Sequence, residues 1–127
     1  MVFNSNDIIL TSFFICLFKH QEKPPPPKHL TVINVQTRYI RFAWDQPKHG
    51  SFYQINNYTI ERKTSASEKF ILVNTLPYDK TTMTLDDLEP ATEYTIRLSS
   101  NNRYGRSDGV LLTKGTLPGK FYCFKIV

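Results

Sequence analysis

The chain has 127 residues, of which 40% are hydrophobic and 13% aromatic. This length suits about one domain, and the composition supplies enough apolar side chains for a packed core, which argues against a wholly disordered chain. The net charge of +5 comes from 16 Lys and Arg against 11 Asp and Glu. Because the basic and acidic residues are interleaved, we interpret the excess as solubilising charge and expect no nucleic-acid partner, which would require a concentrated basic face.

The first 23 residues differ from the rest because they contain an apolar run from Ile8 to Phe18. This run is too short to span a bilayer. Asp7 but no Lys or Arg precedes it, and Lys19 follows it without a small-residue cleavage site. We therefore interpret residues 1–23 as a leader, either a poor signal peptide or a non-native segment. Membrane attachment is expected only through parts of the protein outside this chain.

Four consecutive prolines occupy residues 24–27. Proline favours the extended polyproline II conformation, so residues 24–28 are predicted to form a linker at the boundary of a domain. A proline-rich ligand for an SH3-like groove is the alternative.

From Leu30 onward, short runs of alternating apolar and polar residues are separated by turns rich in Pro, Gly and Asn. No stretch has helical periodicity long enough to compete. The predicted strands cover residues 30–35, 39–44, 57–63, 70–73, 82–85, 93–100 and 110–116.

Alternation assigns each side chain to one of two faces. The predicted inward residues are Ile40, Phe42, Trp44, Tyr58, Ile60, Leu85, Tyr94, Ile96, Leu98, Val110 and Leu112. The residues predicted to face water are Arg41, Thr59, Glu61, Thr95, Arg97 and Thr113. Such alternation is typical of antiparallel sheets that are solvated on one face, so we predict an all-β, seven-stranded antiparallel sandwich with an immunoglobulin-like fold.

The stretch from Leu88 to Tyr94 has the form of a tyrosine corner, which fixes the register of the strand that follows. Leu88 and Tyr94 are expected to form the centre of the core together with Trp44 and Tyr58.

Five sequence features occur in the order seen in the fibronectin type III domain, and the chain resembles that family over residues 24–117, with the domain itself at residues 29–117. These features are residues 30–32, residues 42–44 with Pro47, residues 55–60, the corner, and residues 102–107. The resemblance implies a protein-binding or spacer module. Gly109 stands where many members have a proline, which is expected to loosen the start of the last strand. Residues 118–127 have no place in the family pattern and are interpreted as a truncated tail that continues into another module.

Catalytic and metal-binding residues are not expected. His20, His29 and His49 have no further ligands at metal spacing, and Asp86 and Asp87 are adjacent, so on a strand they would point apart. No nucleophile elbow, phosphate loop or zinc motif is present. Cys16 and Cys123 lie outside the predicted strands and cannot link the core. We therefore predict a protein that is not an enzyme and has no cofactor.

The best candidate contact surface lies where two loops meet at one end of the predicted sandwich. Arg and Tyr are residue types that anchor interfaces, and the partners expected are other proteins and neighbouring domains of the same chain. The alternative is that Tyr53 and Tyr104 only cover the end of the sandwich. The candidate contact residues are Phe52, Tyr53, Arg103, Tyr104 and Arg106.

Asn57-Tyr58-Thr59 is an acceptor sequence for N-glycosylation, and Asn57 is predicted to point outward. With the resemblance, which mostly implies cell-surface receptors, adhesion molecules and matrix proteins, this favours an extracellular or cell-surface module. The alternatives are a structural module of an intracellular giant muscle-type protein and an accessory domain of a secreted enzyme.

Overall fold

A computed structural model describes residues 22–48 and 52–119, which form two antiparallel sheets. The strands are β1 Lys28–Val35, β2 Ile40–Asp45, β3 Asn57–Thr64, β4 Ile71–Pro77, β5 Thr82–Leu85, β6 Glu93–Asn102, β7 Gly105–Arg106 and β8 Val110–Gly115. Over these described ranges, no helix is long and apolar enough to cross a membrane. The predictions for the leader up to residue 21, His49 and the tail from residue 120, with both cysteines, lie outside them.

The strand order confirms the predicted all-β antiparallel sandwich. One sheet has the order β1-β2-β5, and the other has the order β4-β3-β6 with both β7 and β8 paired to β6. The strand added to the predicted seven is β7, a two-residue piece of the hairpin after β6, in which Gly105 pairs with Asn102. Strand β4 also continues to Pro77, beyond the predicted end at residue 73.

The core lies between the sheets and is built from alternate residues of β2, β3 and β6. At its centre, the Trp44 and Tyr58 rings meet edge to face, with centroids 5.3 Å apart. Val110 and Leu112 are only half-buried because β8 pairs with β6 alone and lies at an edge of the sheet. The buried core residues are Ile40, Phe42, Trp44, Tyr58, Ile60, Leu85, Leu88, Tyr94, Ile96 and Leu98.

Among the hydrogen bonds of the corner before β6, one joins the turn to the tyrosine of the strand that follows. The backbone N–H of Glu89 donates to Tyr94 Oη at 2.9 Å, while Leu88 is fully buried beneath it. This bond ties the turn to the strand that it introduces and so fixes which β6 residues face the core.

Residues 22–27 lie against the sandwich and are called the proline strap here. Pro24 and Pro27 are buried. Ser100 Oγ donates to the carbonyl of Pro25, and Asn102 Nδ2 donates to the carbonyl of Glu22 at 2.7 Å. The prolines expected to form a linker therefore contact β6, while the domain boundary at residue 29 stays a prediction.

Two tyrosine hydroxyls of the core differ in hydrogen bonding. Tyr94 Oη accepts the Glu89 bond, whereas neither Tyr58 Oη nor Trp44 Nε1 has a hydrogen-bond partner among the described residues. Burial also raises the pKa of the Tyr58 hydroxyl to about 12, because a phenolate would lose its hydration there.

We expect Tyr94→Phe to lower the free energy of unfolding by about 1–3 kcal/mol, because the substitution leaves the Glu89 N–H without its acceptor. Tyr58→Phe is the matched control. It removes a buried hydroxyl that makes no hydrogen bond of normal geometry, although Trp44 lies close enough to lower the pKa of that hydroxyl, so the stability should stay within about 0.5 kcal/mol of the native chain or exceed it. Urea titration measures both values. Equal losses in the two variants would contradict the assigned role of the corner bond.

Candidate protein-interaction site

The structure brings the two predicted contact loops together through Asn102. Its side chain donates to the carbonyl of Tyr53 at 2.9 Å, and its Oδ1 accepts from the backbone N–H of Tyr104. The Arg103 guanidinium lies over the Tyr104 ring, 5.2 Å from the centroid, and both residues are exposed. Four of the five predicted contact residues therefore belong to one end of the sandwich, since the Phe52 ring also meets that of Tyr53 edge to face.

Arg106, the fifth predicted contact residue, lies elsewhere. It is part of β7 and pairs with Asn101, so its side chain belongs to the outer face of the five-stranded sheet. There its Nη1 is 3.7 Å from Glu61 Oε1. The residue predicted to sit in a loop is thus part of a charged layer on the sheet.

The centre of this layer is a bidentate ion pair between Glu61 and Arg97. The Nε and Nη2 atoms of Arg97 donate to the two carboxylate oxygens at 2.7 and 3.0 Å. Only 12% of the Glu61 side chain is exposed. The hydrogen bonds from Arg97 lower the pKa of the Glu61 carboxyl, although partial burial opposes this shift. Sequence alternation placed both residues outward but did not show that they face each other.

One further contact and one neighbouring glycine shape the position of Arg97. Its guanidinium lies 4.0 Å from the centroid of the Phe70 ring, a cation–π arrangement. On another side, a Cβ atom at Gly109 would lie 2.6 Å from Arg97 Cγ, closer than real Cβ contacts allow. Glycine at this position therefore leaves room for the arginine stem, a role that was missed when Gly109 was expected only to loosen the strand.

The prediction that Thr59 faces water is wrong, since only 4% of the residue is exposed. The side chain does lie on the outer face, but the amide of Asn101 covers it and donates to Thr59 Oγ1 at 2.7 Å. The same amide donates to Asn57 Oδ1 at 2.8 Å. Longer side chains on the neighbouring strand therefore bury a short one that alternation alone assigns to solvent. Asn57 itself is half-buried on this face.

The remaining candidate groups lie apart from these two surfaces. Asp86 and Asp87 are exposed in the turn after β5. In residues 22–48 and 52–119, no group of three or more His, Cys, Asp or Glu side chains could hold a metal ion. What the two surfaces offer is guanidinium donors beside aromatic and aliphatic side chains, a combination suited to binding another protein.

Residues 25–110 match the family model of the fibronectin type III domain. The chain belongs to the fibronectin type III family. It is 29% identical over 90 residues to a titin homolog of Caenorhabditis elegans, which covers 71% of this chain and, to the nearest per cent, 0% of that protein. It is also 32% identical over 102 residues to nephrin of Mus musculus, covering 76% of this chain and 8% of nephrin. The chain therefore spans less than a tenth of the length of these relatives.

Among solved structures, the fn3 domain of the human collagen alpha-1(XX) chain superimposes with a TM-score of 0.65. The match covers 76% of this chain and 89% of that domain at 22% identity. At that identity, the likeness supports the fold alone.

The Glu61 pair makes stability depend on pH. The Glu61 carboxyl has a lowered pKa in the folded state. Its contribution to the free energy of unfolding is therefore fully present above the pKa of an unfolded glutamate, about 4.3, and is lost as pH falls through the folded pKa. We expect the difference in free energy of unfolding between the native chain and Glu61→Gln to shrink as pH falls from about 6 to 3. The native chain loses the contribution of its carboxylate over this range, whereas glutamine does not titrate.

Urea titrations at stepped pH measure this difference. Glu68→Gln is the matched control, since Glu68 is an exposed carboxylate in the turn between β3 and β4. A difference between the native chain and Glu61→Gln that is constant over this pH range would contradict the proposed contribution of the ion pair.

Proposed function

We propose that this chain is a non-catalytic module that binds proteins and acts as a spacer within a longer protein. The spacer role is carried by one observation. The segment that precedes β1 and the segment that follows β8 lie at opposite ends of β6. Glu22 is bonded to Asn102 at one end, while the N–H of Thr116 donates to the carbonyl of Thr92 just before the other end. With a rise of about 3.3 Å per residue, the ten residues of β6 separate these points by about 30 Å.

The end of the sandwich that carries Phe52, Tyr53, Arg103 and Tyr104, called the loop end here, supports the protein-binding role. Arg103 and Tyr104 form an exposed stack beside the point where the proline strap reaches Asn102. A preceding domain of the same chain, or another protein, would meet this stack first. Both residue types commonly anchor interfaces because they bury large area and donate directed hydrogen bonds. Tyr53, half-buried and bonded through its carbonyl, fits the alternative role of covering the end of the sandwich.

We infer that the parent protein is of the cell-surface adhesion or receptor type, supported by an acceptor asparagine, Asn57, on the outer face of a sheet. A second candidate is a structural module of an intracellular giant muscle-type protein. The similarity to the titin homolog favours this second candidate.

The loop-end proposal predicts that Arg103→Ala combined with Tyr104→Ala weakens binding of a partner recovered by affinity capture with the native chain. A loss of about 2 kcal/mol or more is typical of anchor residues, and the arginine share should shrink as salt rises. The thermal midpoint should be unchanged, because both side chains lie outside the core. Arg41→Glu, exposed on the three-stranded sheet, is the control. A partner that depends on Arg41 and ignores the loop pair would refute the loop end as the contact site.

The cell-surface proposal predicts that the chain carries a glycan at Asn57 when it is expressed behind a competent secretion signal. The acceptor side chain lies on the outer face, and attachment at Nδ2 leaves Oδ1 free to accept from Asn101. Intact mass before and after deglycosylation measures occupancy, with Asn57→Gln as the control. An unchanged mass would remove the support that this position gives to the extracellular assignment.

A further inference from the structure

We propose that the outer face of the five-stranded sheet is a docking surface for an acidic, leucine-containing segment of a partner protein. Four residues on adjacent strands are in register there, because Glu61 pairs with Leu72 on one side and Arg97 on the other, and Arg97 pairs with Leu111. This set, Leu72, Glu61, Arg97 and Leu111, is called the Arg97 row. The proposal rests on the proposed protein-binding function but not on the loop end as the contact site.

The two leucines of the Arg97 row are the most exposed of the large apolar side chains in the described residues. Leu72 is 66% exposed and Leu111 is 60% exposed, and they flank the ion pair on opposite sides. Apolar side chains around a central charged anchor give the composition of an interface core, in which arginine is enriched and other charged residues are depleted.

The charge of this face indicates an acidic partner. Arg97 and Arg106 both approach the single carboxylate of Glu61, and Lys63 lies over the Phe70 ring beside them, 5.6 Å from its centroid. Three cations therefore face one anion. Glu61 uses Nε and Nη2 of Arg97, which leaves Nη1 as a donor toward a further carboxylate. A second copy of this chain would place the same three cations opposite these ones, so self-association through this face is disfavoured.

The arginine is already ordered before any partner binds. Glu61 fixes two of its nitrogens, Phe70 supports the guanidinium plane, and Gly109 leaves space for the stem. Immobilising a long side chain on binding usually costs about 0.5–1.5 kcal/mol. Because contacts within the chain already immobilise Arg97, most of this cost does not arise when a partner binds. This favours Arg97 as the centre of a binding surface.

The sheet face is favoured over the free edge of β4 as the place of contact. The N–H of Thr75 is bonded at 2.8 Å by the neighbouring Asn74 side chain, and Pro77 has no N–H. These features reduce the donors available to an added strand. A sulfated polysaccharide would engage the cations but gain little from Leu72 and Leu111, so a protein segment fits the face better.

The test uses the whole 127-residue chain with isotope labels and follows NMR signals during titration. The probe is a synthetic peptide of about eight residues, the length of an ordinary strand, with alternating Glu and Leu. Peptides of alternating Lys and Leu, and of alternating Glu and Ser, separate the charge contribution from the apolar one. We expect the Glu–Leu peptide to shift the Leu72 and Leu111 methyl signals and the Arg97 Nε–H signal.

Two variants remove the two parts of the surface without touching the core. Leu72→Ser combined with Leu111→Ser, and separately Arg106→Gln, should each weaken peptide binding roughly tenfold or more. The matched controls on the three-stranded sheet are Ile33→Ser, where the side chain is 53% exposed, and Arg41→Gln. Both controls should bind the peptide as the native chain does.

Four outcomes would overturn the proposal. The first is equal shifts with the Lys–Leu peptide, and the second is shifts centred on Ile33 or on the loop end. The third is a change of the arginine signals with a heparin fragment but not with the Glu–Leu peptide. The fourth is the absence of any shift at about 1 mM peptide. The proposed function would survive each of them if the captured partner still depended on Arg103 and Tyr104, so the two failures are distinguishable.

Discussion

The tyrosine corner, in which the Glu89 N–H donates to Tyr94 Oη, helps to set the register of β6, and the rest of the molecule depends on that register. Strand β6 pairs with β3 on one side and with β7 and β8 on the other. Because side chains alternate with a period of two, a slip of one residue would expose Ile96 and place Arg97 in the core. The corner thus determines the inner and outer faces of the larger sheet together.

The two faces of this sheet use different physical interactions. The inner face gains stability from apolar burial, whereas the outer face keeps partly buried charges, which are tolerated because they are paired and hydrogen-bonded. Asn57 lies four residues before Glu61 on β3, or about 13 Å away. A glycan at Asn57 would therefore crowd the side of the Arg97 row that is nearer to Asn57. The compartment of the parent protein and the use of this face for binding are consequently linked.

Alternation predicted the sandwich and the buried residues of β2, β3 and β6, because burial there follows from local periodicity. It misplaced Thr59, since burial on an outer face depends on how long the side chains of the adjacent strand are. It gave no sign that the prolines contact the sandwich, because Pro25 and Ser100 are 75 residues apart in sequence. The Glu61–Arg97 pair required the register between β3 and β6, although opposite charges at two outward positions were a usable signal. Arg106 was assigned to a loop because β7 is only two residues long.

The proline strap has a mechanical consequence. Tension arriving along the chain before Glu22 would act first on the strap, whose bonds to Ser100 and Asn102 pass the load to β6 inside the larger sheet. The load would reach the edge strand β1 only after those bonds broke. Release of the strap would free a segment with a contour length of about 20 Å, at roughly 3.4 Å for each of its six residues, while both sheets stayed paired. The bonds of the strap would therefore carry such a load before the sandwich does, and unfolding of the sandwich under force would be governed by a separate barrier.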